Sequence, residues 1–134
     1  MPDPIELRTR ILIVEDEPLI AYGIELALEE AGFVIAGIAG NVLKALSIIE
    51  NDGCDAAVID ANLAGVSAAP VASALTTRGL PFVVTSGYSV DQQHEVLRGA
   101  PHITKPFQDS QLIDALKRVV SDRLLRTQLS HSGG

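Results

Sequence analysis

The sequence predicts a doubly wound α/β domain, with a parallel sheet carrying helices on both faces. Three observations lead there. Short aliphatic runs, beginning with ILIV at Ile11–Val14, are apolar throughout rather than alternating, as in strands buried on both faces. Longer stretches with apolar residues at helical spacing follow them. Gly, Pro or Asn marks the junctions. Strand–helix alternation five times over returns each strand parallel to the last, since every crossover passes over a face of the sheet.

Each element has its own reason. After Ile11–Val14, PLIAYGIELALEEAG puts Ile20, Ile24, Ala27, Leu28 and Ala31 on one helical face, with Pro18 in the first turn and Gly32 at the C-terminal cap. Phe33 to Ala39 is the second strand. Asn41 caps a helix through about Glu50 with Val42, Ala45, Leu46 and Ile49 inward, and Asn51–Gly53 ends it. DAAVID is the third strand. The third helix spans Ser67 to Arg78 with Pro70 in its first turn, and Gly79 stops it. LPFVVTS is the fourth strand, Val90 to Leu97 a short helix, and His102 to Thr104 the fifth strand. Asp109 or Ser110 opens a last helix with Leu112, Ala115, Leu116, Val119 and Val120 inward, and RTQLSHSGG is polar and expected to fray. Residues 1–123 thus form one domain, and 124–134 the end of the last helix and a polar tail.

Composition narrows the function. The 134 residues suit one domain, and 47% hydrophobic content against 4% aromatic implies an aliphatic core. A net charge of −7 argues against a nucleic-acid partner, because phosphate binding needs a basic face. One cysteine, Cys54, rules out an intrachain disulfide, and its apolar surroundings fit a structural thiol better than a nucleophile. With no apolar stretch of membrane-spanning length and no secretory leader, a cytoplasmic protein without membrane contact is expected.

In a sheet of this kind ligands sit beyond the carboxyl ends of the strands. Those ends are occupied here by Glu15 and Asp16, Asp60, Thr85 and Ser86, and Lys105 followed by Pro106. Singly, each has an ordinary explanation: acids favour a helix N-terminus, Asp forms turns, Lys is solvated. Together, independent local reasons would all have to select one end of one sheet. Two carboxylates about 4 Å apart repel by roughly 4 kcal/mol at an effective dielectric near 20. A hard divalent cation relieves such crowding, and Mg²⁺ takes few carboxylates plus phosphate oxygens. Such a site suits phosphoryl transfer, with Asp60 as nucleophile giving an aspartyl phosphate.

On ILIVEDE, VIDANLAG, VVTSG and ITKPF, the chain resembles a response-regulator receiver domain (CheY-like) from end to end. The resemblance implies the flavodoxin-like (βα)5 fold with strand order 2-1-3-4-5, an order that belongs to the family and is not read from periodicity. It makes Asp60 the phosphoacceptor, and Glu15 and Asp16 the acidic pair for Mg²⁺, with Asp16 the direct ligand. The Asn62 carbonyl completes the protein ligands. Thr85 matches the switch hydroxyl and Lys105 the lysine that pairs with phosphoryl oxygen. The Lys105–Pro106 bond is implied to be cis.

One position departs from the family. Receivers usually place Tyr or Phe three residues before the lysine, where this chain has His102, while Tyr88 follows Thr85 and Gly87. That resembles the FAT-GUY branch, although Val84 and Ser86 differ from its usual sequence. A rearrangement around Thr85 to Tyr88 is favoured, with His102 partly exposed, and a role for Tyr88, His102 or Pro106 in switching is left open. The expected function is that of a stand-alone phosphorelay response regulator of a two-component system. Its partners would be a sensor histidine kinase, of the HWE or a related class, and a downstream protein or phosphotransfer partner. A phosphate-sink role and a dimer through the last helices remain alternatives. It would act as no enzyme beyond its own phosphorylation and dephosphorylation. A pseudo-receiver that binds partners without phosphorylation is the competing reading. A phosphatase-type hydrolase would carry Asp-x-Asp after its first strand, whereas Asp60 follows the third.

Overall fold

Ile11, Leu12, Ile13 and Val14 are each no more than 1% exposed, so the first strand, β1 (Arg10–Val14), is covered on both faces. Successive side chains of a strand face opposite ways, and here they join two separate cores. Leu12 and Val14 pack with Ala57, Ile59 and Val84, while Ile11 and Ile13 pack with Ala56, Val58 and Val83. The computed structural model describes residues 9–87 and 95–132, with side chains through 125.

The chain continues through α1 (Pro18–Glu30), β2 (Val34–Ala39), α2 (Val42–Asn51) and β3 (Ala56–Asp60). A small hairpin follows, β4 (Asn62–Leu63) and β5 (Val66–Ser67), then α3 (Ala69–Thr77) and β6 (Phe82–Ser86). The last elements are α4 (Glu95–Arg98), β7 (His102–Thr104) and α5 (Asp109–Ser132). Five strands form a parallel sheet in the order β2-β1-β3-β6-β7, which over these five strands is the flavodoxin-like order 2-1-3-4-5. Ala45, Ile48 and Ile49 of α2, Val71, Ala72 and Leu75 of α3, and Leu97 of α4 cover one face. Ala21, Ile24 and Leu28 of α1 and Leu112, Leu116 and Val120 of α5 cover the other.

Local chemistry fixes the helix ends. The Asn41 side chain accepts a hydrogen bond from the Lys44 N–H at 2.8 Å, capping α2 as expected. At the end of α1, Gly32 has φ +102°. The Gly32 N–H donates to the Glu29 carbonyl and the Phe33 N–H to the Leu28 carbonyl, both at 3.0 Å. Leu28 and Phe33 meet in the core beneath this left-handed cap. Leu75 and Leu80 repeat the arrangement around Gly79 after α3.

Several boundaries differ from the sequence expectation. α3 begins at Ala69 rather than Ser67, because residues 62–67 are drawn into the hairpin and the Ser67 hydroxyl accepts from the Ala69 N–H at 3.1 Å. Phe33 precedes β2 rather than opening it, since its N–H completes the α1 cap. On α1 the buried set includes Ala21, with Ile20 and Ala31 only half-buried; on α2 it includes Ile48, with Val42 and Leu46 half-buried. α5 continues to Ser132, so the polar segment from Arg126 is helical instead of frayed. Arg123 anchors that helix by donating to the Asp55 carbonyl at 3.1 Å. The expected start of the short fourth helix lies outside the described residues, of which Glu95–Arg98 are helical. Among the described residues no helix is long and apolar enough to cross a membrane.

Gly23 lies in the middle of α1, and a methyl group added there would meet nothing within 4 Å. Glycine in a helix interior is about 1 kcal/mol less favourable than alanine. Gly23→Ala is therefore expected to stabilise the fold by about 1 kcal/mol, seen as a higher urea midpoint at unchanged slope; a lower midpoint would contradict the open space above Cα.

Candidate functional site

β1 and β3 are neighbours in the sheet, paired from Ile11–Ala56 to Val14–Ile59. Their apolar runs therefore end side by side, and the first polar residues after them must meet. Glu15, Asp16 and Asp60 each offer a carboxylate oxygen within 4.8 Å of the others. β6 lies on the other side of β3, with Thr85 opposite Asp60 in the register. β7 follows at the edge, and the Lys105 N–H just past it donates to the Ser86 carbonyl at 2.9 Å.

Lys105 reaches back across this edge. Its Nζ donates to Glu15 Oε1 and to Asp60 Oδ2, each at 2.8 Å. As the strand-end reading expected, the ammonium joins the acids at this edge, neutralises part of the cluster and bridges two of its members. The remaining oxygens are also engaged. Glu15 Oε2 accepts from the Glu17 N–H at 3.1 Å, and Asp60 Oδ1 from the Asn62 N–H at 3.1 Å. Burial pushes the Glu15 carboxyl above its ordinary pKa, against the pull of Lys105. Burial also works against the charge on Lys105, but its hydrogen bonds to Asp60 and Glu15 outweigh that and raise its pKa. A raised lysine pKa contributes stability that is fully present below its unfolded value and lost only as pH climbs through the raised one.

Thr85 is 1% exposed and its Oγ1 has no hydrogen-bond partner. A buried hydroxyl left unpaired costs about 1–3 kcal/mol. It sits beside the aspartate that the crowding argument singled out.

The loop after Asp60 was not foreseen in detail. Ala64 and Gly65 both have positive φ, +53° and +88°, the requirement of a two-residue hairpin turn matched to strand twist. The Asn62 side chain accepts from the Gly65 N–H at 2.6 Å, bracing the turn. The signal in the sequence was Ala-Gly between Leu63 and Val66, too weak to read because alanine avoids this conformation.

The family profile for the response regulator receiver domain matches residues 11–117. The chain belongs to the response regulator receiver domain family. It is 32% identical over 116 residues to the transcriptional regulatory protein PdtaR of Mycobacterium tuberculosis, covering 84% of this chain and 57% of the relative. This receiver spans about half the length of the curated relatives it matches. The solution structure of SdrG from Sphingomonas melonis Fr1 superposes with TM-score 0.74 at 41% identity, covering 85% of this chain and 98% of that one. The crystal structure of PhyR from Brucella abortus gives 0.84 at 26% identity, covering 96% of this chain and 54% of that one. These PhyR- and SdrG-like neighbours fit the FAT-GUY-like branch.

The other residues singled out from the receiver's sequence fall as follows. The Lys105–Pro106 bond is cis. His102 is half-buried on the edge strand, its Nδ1 2.8 Å from the Ala100 carbonyl. Tyr88 and His94 lie outside the described residues. A groove lined by Ile20, Gly23, Ile24, Pro106, Phe107 and Asp109 opens beside Lys105.

Cys54 stands apart from this site, half-buried before β3. Burial first, and Asp55 second, push its thiol up to about 11. At pH near 8 its alkylation by iodoacetamide is expected to be about a hundredfold slower than that of a free thiol; a rate equal to free cysteine would contradict the buried placement.

Proposed function

We propose that this receiver takes a phosphoryl group onto Asp60 from a phosphohistidine of a sensor kinase and thereby switches a protein-binding surface. The observation that carries the reading is the environment of Asp60: an ammonium at 2.8 Å, two further carboxylates within 4.8 Å, and an orphaned buried hydroxyl on the paired strand. Hard carboxylate oxygens grouped so closely suit Mg²⁺. Asp16 and Asp60 would supply direct oxygens, the Asn62 carbonyl another, and Glu15 further negative charge. When bound, the ion neutralises carboxylate and phosphoryl oxygens together.

The residues divide the work. Asp60, only 7% exposed, presents one carboxylate held at both oxygens. It attacks phosphorus, an O–P bond forms as the donor's P–N bond breaks, and the electron pair returns to the imidazole. Lys105 follows the charge from the carboxylate to the phosphoryl oxygens. Thr85 supplies its unpaired hydroxyl to the same group. Moving a two-state equilibrium from 1:99 to 99:1 takes about 5.5 kcal/mol. Satisfying a buried hydroxyl is worth about 1–3 kcal/mol and each charge-assisted hydrogen bond about 1.5–3, so two or three such contacts reach that scale. The surface that responds is α4, β7 and α5, the elements next to Thr85 and Lys105 in the sheet. The FAT-GUY-like sequence around Thr85 to Tyr88 is the basis for a kinase of the HWE or a related class, with the phosphoryl group then read by a partner protein or drained from the kinase.

The test is labelling with radioactive phosphoramidate in Mg²⁺, with and without EDTA. Wild type is expected to take up label only with Mg²⁺, and Asp60→Asn none. Thr85→Ala should be labelled yet lose the amide chemical-shift changes over α4, β7 and α5. Equal labelling of wild type and Asp60→Asn would remove Asp60 from the chemistry.

A further inference from the structure

β7 is the last strand of the sheet and holds only three residues, His102–Thr104. It pairs with Val84, Thr85 and Ser86, so the first two residues of β6 have no strand partner on that side. The ladder stops for a chemical reason. The Val84 N–H donates to the Pro101 carbonyl at 2.9 Å, and in parallel register the preceding bond would run from the N–H of residue 101 to the Phe82 carbonyl. Proline has no N–H to give. Below that point no strand fills the space between α4 and α5, and a groove of about 380 Å³ opens there, at the amino end of the sheet. Asp60, Thr85 and Lys105 stand at the carboxyl end.

The chemistry of the groove is one-sided. Pro81, Phe82, Pro101 and Val119 give it an apolar lining, with Glu95 of α4 and Asp122 of α5 beside them. Both acids are exposed, and among the described residues no ion pair engages either. The described residues that line it include no lysine or arginine. Apolar surface flanked by carboxylates and a carbonyl, without a cation, is complementary to apolar side chains carried next to N–H-rich cations. We infer that the groove docks a basic amphipathic segment of a partner protein, its apolar side chains against Phe82 and Val119 and its arginine or lysine at Glu95 and Asp122. Docking there needs neither Mg²⁺ nor a phosphoryl group, and so stands apart from the phosphoryl-accepting reading.

The probe is a fluorescein-labelled synthetic peptide of repeated Arg-Leu-Leu-Arg units, followed in EDTA by anisotropy and by the amide shifts of Val96, Gly99 and Val119. Saturable binding is expected, with an Arg-Ser-Ser-Arg peptide of equal charge at least about fivefold weaker. Glu95→Gln/Asp122→Asn should weaken the leucine peptide at least about fivefold, and Glu30→Gln/Glu50→Gln, which removes the same charge from exposed positions on α1 and α2, less than about twofold. Gly99 lines the groove, and a Cβ there would meet nothing within 4 Å. Gly99→Leu therefore narrows the groove at unchanged charge and should weaken binding at least about fivefold. Thermal melts confirm that each variant is folded. Equal weakening by the two acid pairs, or equal binding of the two peptides, would reflect bulk attraction to an acidic protein and overturns the assignment. So does the absence of saturable binding, or undiminished binding in Gly99→Leu. Shifts of the same amides on concentrating the protein alone would give the groove to a second copy of the chain and overturn it too.

Discussion

The bridge from Lys105 to Glu15 and Asp60 is the contact on which the site depends. Two carboxylates at about 4 Å repel by roughly 4 kcal/mol at an effective dielectric near 20, a large fraction of the 5–15 kcal/mol by which domains are typically stable. Glu15 and Asp60 are 3% and 7% exposed, so water does little to relieve them. One ammonium at 2.8 Å from each changes the balance. It must come from a distance, because β7 stands beyond β6 at the sheet edge while the acids follow β3 and β1. Adjacent strands are about 4.8 Å apart, and a four-carbon stem with a point charge at its tip suits that crossing better than a shorter cation. The stem passes the strand that carries Thr85. The bridging ammonium and the buried Thr85 hydroxyl are thus neighbours by topology.

That topology was legible because it rests on apolar runs. β1, β3 and β6 are buried on both faces, so their sequences announce them, and the point where each run meets a polar residue is the carboxyl edge of the sheet. Glu15, Asp60, Thr85 and Lys105 followed from the same reading. What was missed lies where packing does not decide. The β4–β5 hairpin turns on Ala64 at φ +53°, a conformation alanine enters only under constraint, here the Asn62–Gly65 hydrogen bond and the buried Leu63. The continuation of α5 runs through a polar sequence with no periodic apolar signal. The partnership of Glu15 with Lys105 joins residues separated by 90 positions and is a property of strand order. In the sequence alone nothing linked Glu15 to Lys105; the resemblance separated it from Asp16 only as a metal ligand.

The hydrogen bonding of the site is balanced unevenly. Its strongest charges are engaged: Lys105 has two partners, Glu15 and Asp60 each have two donors. Among the described residues Thr85 carries an unmet demand, a hydroxyl shut away from water with nothing to bond. Native folds tolerate few such groups. A new acceptor at Asp60 would therefore be attracted by the threonine without opposition. Lys105 by contrast already has two acceptors, Glu15 and Asp60. On the phosphoryl-accepting reading the threonine would gain a partner where the lysine only exchanges one acceptor for another, so the net gain would come from the unpaired hydroxyl.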